Sequence, residues 1–147
     1  MAVILALGTR LIHIEADFPL GITKSGAILS DEGWYAAAAV RLMVTGRHHQ
    51  LGGYNPGLNL PVFPAMCYTL FHTLGLGLAT ARWTVALSYM AMTILIALIV
   101  HGSYGRWAGG LAAAMLAFNY IGFAYSRLAL MELPMTLWMT ASLAMAL

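Results

Sequence analysis

Two long runs of uncharged residues constrain this chain more than any other feature of its sequence. The segment from Trp83 to Val100 contains no charged residue and no histidine, and the segment from Trp107 to Ser126 contains no charged residue. A helix of about 20 apolar residues crosses the hydrocarbon core of a bilayer, which is about 30 Å thick. The two runs therefore predict two membrane-spanning helices joined by a short turn.

The composition of the whole chain agrees with this interpretation. Hydrophobic residues make up 61% of the sequence and charged residues 8%, whereas a soluble domain carries about 25% charged residues. A very hydrophobic soluble helical bundle is therefore the less favoured alternative. The net charge of +2, without a basic cluster, argues against nucleic-acid binding. The single cysteine, Cys67, excludes an internal disulfide.

The predicted fold is all-α and polytopic, with about four transmembrane helices and amphipathic interfacial helices in the first loop. The whole chain is interpreted as the N-terminal portion of one larger transmembrane domain. A single loop, residues 19–81, is predicted to be extracytoplasmic. The predicted transmembrane helices cover residues 1–18, 82–101, 107–123 and 135–147, the last of them truncated.

Within the first loop, the sequence predicts two helices and an irregular segment. Ser30 is a plausible N-cap, with Asp31 and Glu32 in the first helical turn and Trp34–Val44 following as an amphipathic helix. Gly46 is expected to end that helix. The stretch Leu51–Pro64 is rich in glycine, asparagine and proline, which is typical of a surface loop. Residues Pro64–Leu78 are expected to form an interfacial or re-entrant helix.

Acidic and basic residues are scarce, so those near the membrane are the candidates for chemistry. If the loop does not cross the membrane, Asp31 and Glu32 lie on the same face as Arg127 and Glu132. Two such groups of carboxylates can supply a general base, with Arg127 as partner for an anion. Two simpler explanations stay open: Asp31 and Glu32 favour a helix N-terminus, and Arg127 and Glu132 form an interfacial ion pair.

The ordered combination of these segments resembles the GT-C membrane glycosyltransferases, in the branch of protein O-mannosyltransferases and aminoarabinose transferases of lipid A. Asp31-Glu32-Gly-Trp-Tyr35 is similar to the start of that family's first extracytoplasmic loop. Ala81-Arg82-Trp83 resembles the beginning of its second helix. Arg127, followed after four residues by Glu132 and then by Pro134, matches its pattern before the fourth helix. The resemblance covers nearly the whole chain.

The resemblance implies a reaction and a role for each carboxylate. The protein would move a sugar from a polyprenyl-phosphate donor to an acceptor hydroxyl on the extracytoplasmic face. Asp31 would take the proton of that hydroxyl, and Glu32 would support Asp31. Glu132 would lie across the cavity, where the family usually has an aspartate. A hydroxyl is a poor nucleophile until a base removes its proton, which is the chemical need for such a residue.

The other implied contacts concern the donor and the acceptor. Arg127 would lie near the donor phosphate or hold Glu132, since a phosphate leaving group needs positive charge nearby. Tyr35 and Tyr54 are the further candidates for substrate contact. The implied partners are a polyprenyl-phosphate-linked sugar, a lipid, glycan or protein acceptor, and membrane lipids. The expected location is the plasma (inner) membrane, with the active-site loops outside.

No metal site is predicted, and a divalent cation is left open as a cofactor. His48 and His49 are adjacent, so on a helix they do not readily share one metal ion. Two other functions compete with the transferase. In a transporter or channel fragment, we would expect charged or broken positions at mid-membrane depth. In a small membrane protein without catalysis, we would expect no catalytic site. The present chain alone is expected to be inactive.

Overall fold

The computed structural model of the protein describes residues 2–16, 31–47 and 60–146. Within these ranges the chain is all-helical and contains no strand, in agreement with the predicted fold class. The elements are α1 (Ala2–Gly8), a 3-10 turn (Thr9–Leu11), α2 (Asp31–Thr45), α3 (Val62–Leu74), α4 (Leu78–Tyr104), α5 (Arg106–Ala117), α6 (Tyr120–Tyr125) and α7 (Glu132–Ala146).

Helix α4 is the central element, and α3, α5 and α7 all pack against it. Its 27 residues extend about 40 Å, and they include the predicted span 82–101. Among the described residues it is the one helix that is both long and apolar enough to cross a membrane. It ends at Gly105, whose φ of +86° favours glycine. The chain then reverses into α5.

The two helices of this hairpin approach each other closely at Gly109. A Cβ atom at this position would lie 2.7 Å from the carbonyl oxygen of Ala97 and 2.8 Å from Cβ of His101. Any larger residue would have to push the helices apart. The missing side chain at Gly109 therefore sets the distance between α4 and α5, as small residues commonly do between helices in membranes.

The predicted span 107–123 is interrupted. Helix α5 ends at Ala117, and Asn119 starts α6 by accepting a hydrogen bond of 2.6 Å from the main-chain N–H of Gly122. An asparagine side chain competes with the main chain for such hydrogen bonds, which is why it favours a helix start over a helix interior. The interruption leaves the last carbonyl groups of α5 without partners inside the helix.

Two side chains from elsewhere in the fold satisfy these carbonyl groups. The Tyr89 hydroxyl donates to the carbonyl oxygen of Leu116 at 2.7 Å, and Nη2 of Arg10 donates to that of Ala117 at 2.9 Å. Non-helical backbone at membrane depth is tolerated where its polar groups are bonded inside the protein. The hydrogen bonds from Arg10 and Tyr89 therefore stabilise the interruption between α5 and α6.

The first helix is shorter than the predicted span 1–18. Helix α1 and the 3-10 turn end at Leu11, and His13 has a φ of +48°. The carbonyl oxygens of Ile12 and His13 accept hydrogen bonds from Arg127. In a continuing helix they would accept from main-chain N–H groups four residues later. The carbonyl oxygen of Ile12 is thus bonded to a distant side chain. That of His13 accepts both from this side chain and from the main-chain N–H of Ala16, at 2.9 Å.

The loop helices α2 and α3 pack on each other and form a core with the start of α4. Helix α2 buries an alanine face, and Gly46 follows it with a φ of +70°. A second core joins α1, α4 and α5. The first core contains Ala36, Ala39, Phe63, Cys67, Phe71, Ala81, Val85 and Ala129, and the second contains Leu7, Tyr89, Met92 and Ala117.

The first core predicts an unreactive thiol. Cys67 is fully buried, and burial raises the pKa of its thiol to about 11. Because the thiolate is the reactive form, we expect the folded protein to resist maleimide labelling at pH 8 and to label once it is denatured. In a Cys67→Ala background, Thr73→Cys places a thiol at an exposed position of the same helix and should label in the folded state. Equal labelling rates for the two thiols would contradict the buried position.

Candidate functional site

The candidate site is built on a buried ion pair between the first loop and α4. Nε of Arg82 donates to Oε1 of Glu32, and Nη2 of Arg82 donates to Oε2, each at 2.8 Å. Glu32 is 3% exposed and Arg82 is fully buried. Two parallel hydrogen bonds between guanidinium and carboxylate fix the relative orientation of both groups. The pair therefore fixes the start of α2 against the start of α4.

The same carboxylate connects to the segment before α7. The main-chain N–H of Ala129 donates to Oε1 of Glu32 at 2.6 Å, and Nη1 of Arg82 donates to the carbonyl oxygen of Ile14 at 2.9 Å. Residues separated by 97 and 68 positions are thereby joined at one point. The first acidic loop, the end of the α1 segment and the later connection all meet at the N-terminal end of α4.

Arg127 holds the α1 segment to this junction. Its Nη1 donates to the carbonyl oxygens of Ile12 and Arg10, at 2.8 and 3.3 Å, and its Nη2 donates to that of His13. The side chain is largely buried, at 9% exposure. Burial lowers the pKa of Arg127, and the nearby positive charge of Arg82 lowers it further. Arg127 is therefore a structural clamp on main-chain carbonyls.

Arg10 provides a third buried guanidinium group, next to this junction. Besides Ala117, it contacts the ring of Tyr89, whose centroid lies 4.7 Å from Cζ, and the ring of Phe123, at 5.6 Å. Such contacts between a cation and aromatic faces partly replace the lost hydration. Both Arg10 and Arg127 face Phe123, since Cζ of Arg127 lies 5.5 Å from the same ring.

Buried cations outnumber buried anions among the described side chains of this junction. Arg10, Arg82 and Arg127 are the buried cations within the described ranges, and Glu32 is the buried anion. Each buried guanidinium group raises the local electrostatic potential. This potential is favourable for an anion nearby.

The structure describes some of the remaining predicted first-loop residues and not others. Asp31 is the first residue of α2, next to the anchored Glu32, and its side chain lies outside what the structure describes. Tyr54 also lies outside the described residues. Tyr35 is half-buried, packs against the first core and contacts the ring of Trp34 edge-on, with centroids 5.1 Å apart.

Glu132 is exposed and begins α7, three residues after Ala129. Its carboxylate forms no ion pair with Arg127 in the described part of the chain, because the guanidinium is directed at the carbonyl groups of residues 10–13. The acid next to a helix N-terminus is favourable in itself. Within the described ranges, no group of three or more potential metal ligands occurs, and His48 and His49 lie outside those ranges.

Sequence reasoning missed the two residues that organise the junction. Arg82 was identified as part of the resemblance but was given no partner, and Arg10 was given no role. A signal for Arg10 was present, since an arginine inside a predicted apolar span requires a buried partner or a route to the interface. No local pattern identifies Glu32 as the partner of Arg82, because 50 positions separate them.

Comparison with known proteins adds no assignment. No family model, no curated protein and no solved structure matches the chain.

Proposed function

We propose that this protein is part of a polytopic membrane glycosyltransferase of the GT-C type. It would transfer a sugar from a polyprenyl-phosphate donor to an acceptor hydroxyl on the extracytoplasmic face. The observation that carries the proposal is the contact between Glu32 and Ala129, since it joins the acidic first loop to the connection that holds Arg127. These are the two segments that the resemblance assigns to one active site.

The geometry supports Asp31 as the base. Both oxygens of Glu32 accept hydrogen bonds from Arg82, and Oε1 accepts a further one from Ala129. These three hydrogen bonds engage both oxygens of Glu32 in holding the start of α2 in place. Asp31 is adjacent in sequence and would be the base, while Glu32 would position the start of α2.

The buried cations among the described residues support an anionic donor. In the proposed reaction the acceptor oxygen forms a bond to the anomeric carbon, and the bond from that carbon to the phosphate oxygen breaks. The hydroxyl proton passes to Asp31, and the phosphate leaves with the electron pair. Positive charge arranged in advance stabilises such a leaving group. The buried guanidinium groups of Arg82 and Arg127 would contribute through their field, since their N–H groups are bonded within the protein.

The proposed topology has about four spans, of which α4 is long enough by itself. The hairpin of α4 and α5 would place the turn at Gly105 inside and the buried junction outside. Helix α7, with 15 residues, would extend about 22 Å and would begin a further crossing. Cysteine accessibility at Gly102 and Thr73, in a Cys67→Ala background, tests whether these two positions lie on opposite faces.

Transfer of sugar from a labelled donor tests the proposed reaction. Membranes that contain the product of the complete reading frame would be incubated with polyprenyl-phosphate sugars and an acceptor extract. We expect label in the acceptor fraction together with free polyprenyl phosphate, above the level in membranes without the protein. If a folded protein yields neither product with pentose, hexose and aminosugar donors, the proposed function is wrong.

One observation favours the transporter alternative. That hypothesis predicted a broken helix at membrane depth, and α5 does end at Ala117, about 18 Å from its start. In transporters, however, the carbonyl groups of a broken helix are open to the transported ion. Here the carbonyls of Leu116 and Ala117 are occupied by Tyr89 and Arg10. The break therefore supports a structural role more strongly than an ion path.

A further inference from the structure

An apolar groove lies between α1, α4 and α5. Its cavity volume is about 420 Å³. Side chains from all three helices line it, and nearly all of them are apolar, which suits a hydrocarbon chain. Representative lining residues are Val3, Leu7, Ile94, Leu98, Gly110 and Ala113.

One end of the groove carries polar groups. His101, in the last turn of α4, and Arg106, the first residue of α5, both line it. Arg106 is exposed, and its Cζ lies 5.4 Å from the centroid of the Trp107 ring. Arg106 is the one charged residue among those that line the groove. The groove is therefore amphipathic along its length.

The aromatic residues beside this end give its depth in a membrane. Tyr104 and Trp107 flank the turn at Gly105 and are 80% and 81% exposed. Exposed tyrosine and tryptophan are typical of the membrane interface, at headgroup level. From Met90 to His101 the groove follows α4 for about 16 Å. Its cationic end thus lies at the headgroups, and its apolar part extends towards the bilayer centre.

We propose that this groove binds one anionic phospholipid of the leaflet that contains the turn between α4 and α5. An acyl chain would lie along the groove, and the phosphate would contact Arg106 and His101. The charge arrangement supports this occupant, since a basic side chain at headgroup level attracts an anionic lipid phosphate. This site is separate from the proposed glycosyl transfer.

A second copy of the chain fits the groove less well. Glu32 lies at the opposite end of α4, against Arg82, so a parallel copy would bring no Glu32 carboxylate to Arg106. An anionic lipid supplies both the hydrocarbon and the counter-charge in one molecule. The shape and the charge of the groove therefore both favour the lipid.

Lipid binding to the purified full chain tests the proposal. In neutral detergent micelles, we expect phosphatidylglycerol to bind at one molecule per protein in native mass spectrometry and to bind more tightly than phosphatidylcholine. Arg106→Gln should weaken phosphatidylglycerol binding about fivefold, the effect of one basic residue near a charged headgroup. Arg47→Gln removes an exposed charge from the end of α2 and should leave the affinity unchanged.

Gly110 offers a second variant that fills the groove without disturbing the helix packing. A Cβ atom at Gly110 would meet nothing within 4 Å, and leucine favours a helix more than glycine does. We expect Gly110→Leu to reduce phosphatidylglycerol binding about tenfold or more, by occupying the acyl-chain position. Gly102→Leu is the matched control, because Gly102 also has open space but does not line the groove.

Several outcomes would overturn the proposal. Equal affinity for phosphatidylglycerol and phosphatidylcholine would remove the role of charge. If inorganic phosphate protected the protein from thermal unfolding as well as phosphatidylglycerol does, the site would bind an anion and not a lipid. A protein that is dimeric in light scattering and becomes monomeric on Gly110→Leu would show that a second copy fills the groove. Unchanged lipid binding in both Arg106→Gln and Gly110→Leu would place the lipid elsewhere.

Discussion

Replacing Arg82 with leucine should lower the free energy of unfolding by about 3–5 kcal/mol, because it leaves the Glu32 carboxylate buried without a counter-charge. Glu32 is 3% exposed, so water cannot readily replace the two lost hydrogen bonds. Among the described groups, the N–H of Ala129 would be the one that remains bonded to it. Unfolding of the purified protein by denaturing detergent, followed by circular dichroism, measures the change.

Three further variants separate the ion pair from the other consequences of the substitution. Arg82→Lys keeps the charge but loses the two parallel hydrogen bonds, so we expect an intermediate loss. The double variant Arg82→Leu/Glu32→Leu removes both charges of the pair and should recover much of the stability. Arg47→Leu changes an exposed arginine and should alter the stability by less than about 0.5 kcal/mol.

Two results would contradict this prediction. If Arg82→Leu costs less than about 1 kcal/mol, an exposed pair would explain the result and the buried junction would not exist in the protein. If the double variant is as unstable as the single one, the loss comes from packing around Arg82. Neither result would bear on the transferase proposal, which is tested by activity.

Replacing Asp31 with asparagine should abolish sugar transfer, with a loss of about 100-fold to 10,000-fold or more, because the substitution removes the proposed general base while it keeps the side-chain shape. The measurement is the rate of label transfer from the polyprenyl-phosphate donor. The fold should persist, since Asp31 is the first residue of α2 and its charge there is worth about 0.3–1 kcal/mol.

The control for this prediction is an acid outside the first loop. Glu15 is exposed and has no assigned role, so Glu15→Gln should transfer sugar at the normal rate. A folded Asp31→Asn protein with full activity would show that Asp31 serves only the helix N-terminus. A parallel loss in Asp31→Asn and Glu15→Gln would indicate a general effect of negative charge and not a specific base.

Local sequence patterns determined the helical class and the principal turns. The uncharged run from Trp83 to Val100 lies within α4, and Gly46 follows α2 as expected. Helix α4 extends past the predicted end at residue 101 to Tyr104, and Gly105 ends it. These features depend on apolar residues close in sequence and on the φ angles that only glycine adopts easily. Such signals are local, so they can be recognised without knowing the fold.

The boundaries of the helices within the predicted spans were less predictable. The segment 107–123 contains no charge, yet it divides at Asn119, and the span 1–18 ends as a helix at Leu11. Hydropathy does not reveal either break, because the decisive hydrogen bonds come from Arg10, Tyr89 and Arg127. Each bond joins parts of the chain that are far apart in sequence.

The residues of the candidate site were predictable from the sequence, but their partners were not. The sequence by itself singled out Asp31, Glu32 and Arg127, because charged residues are rare in an apolar chain and their positions are costly. Only the tertiary structure decided that Glu32 binds Arg82 and that Arg127 holds the carbonyls of residues 10–13. A side chain's type shows that it needs a partner, but the choice of partner is a property of the packed fold, where burial excludes water and leaves the nearest protein group.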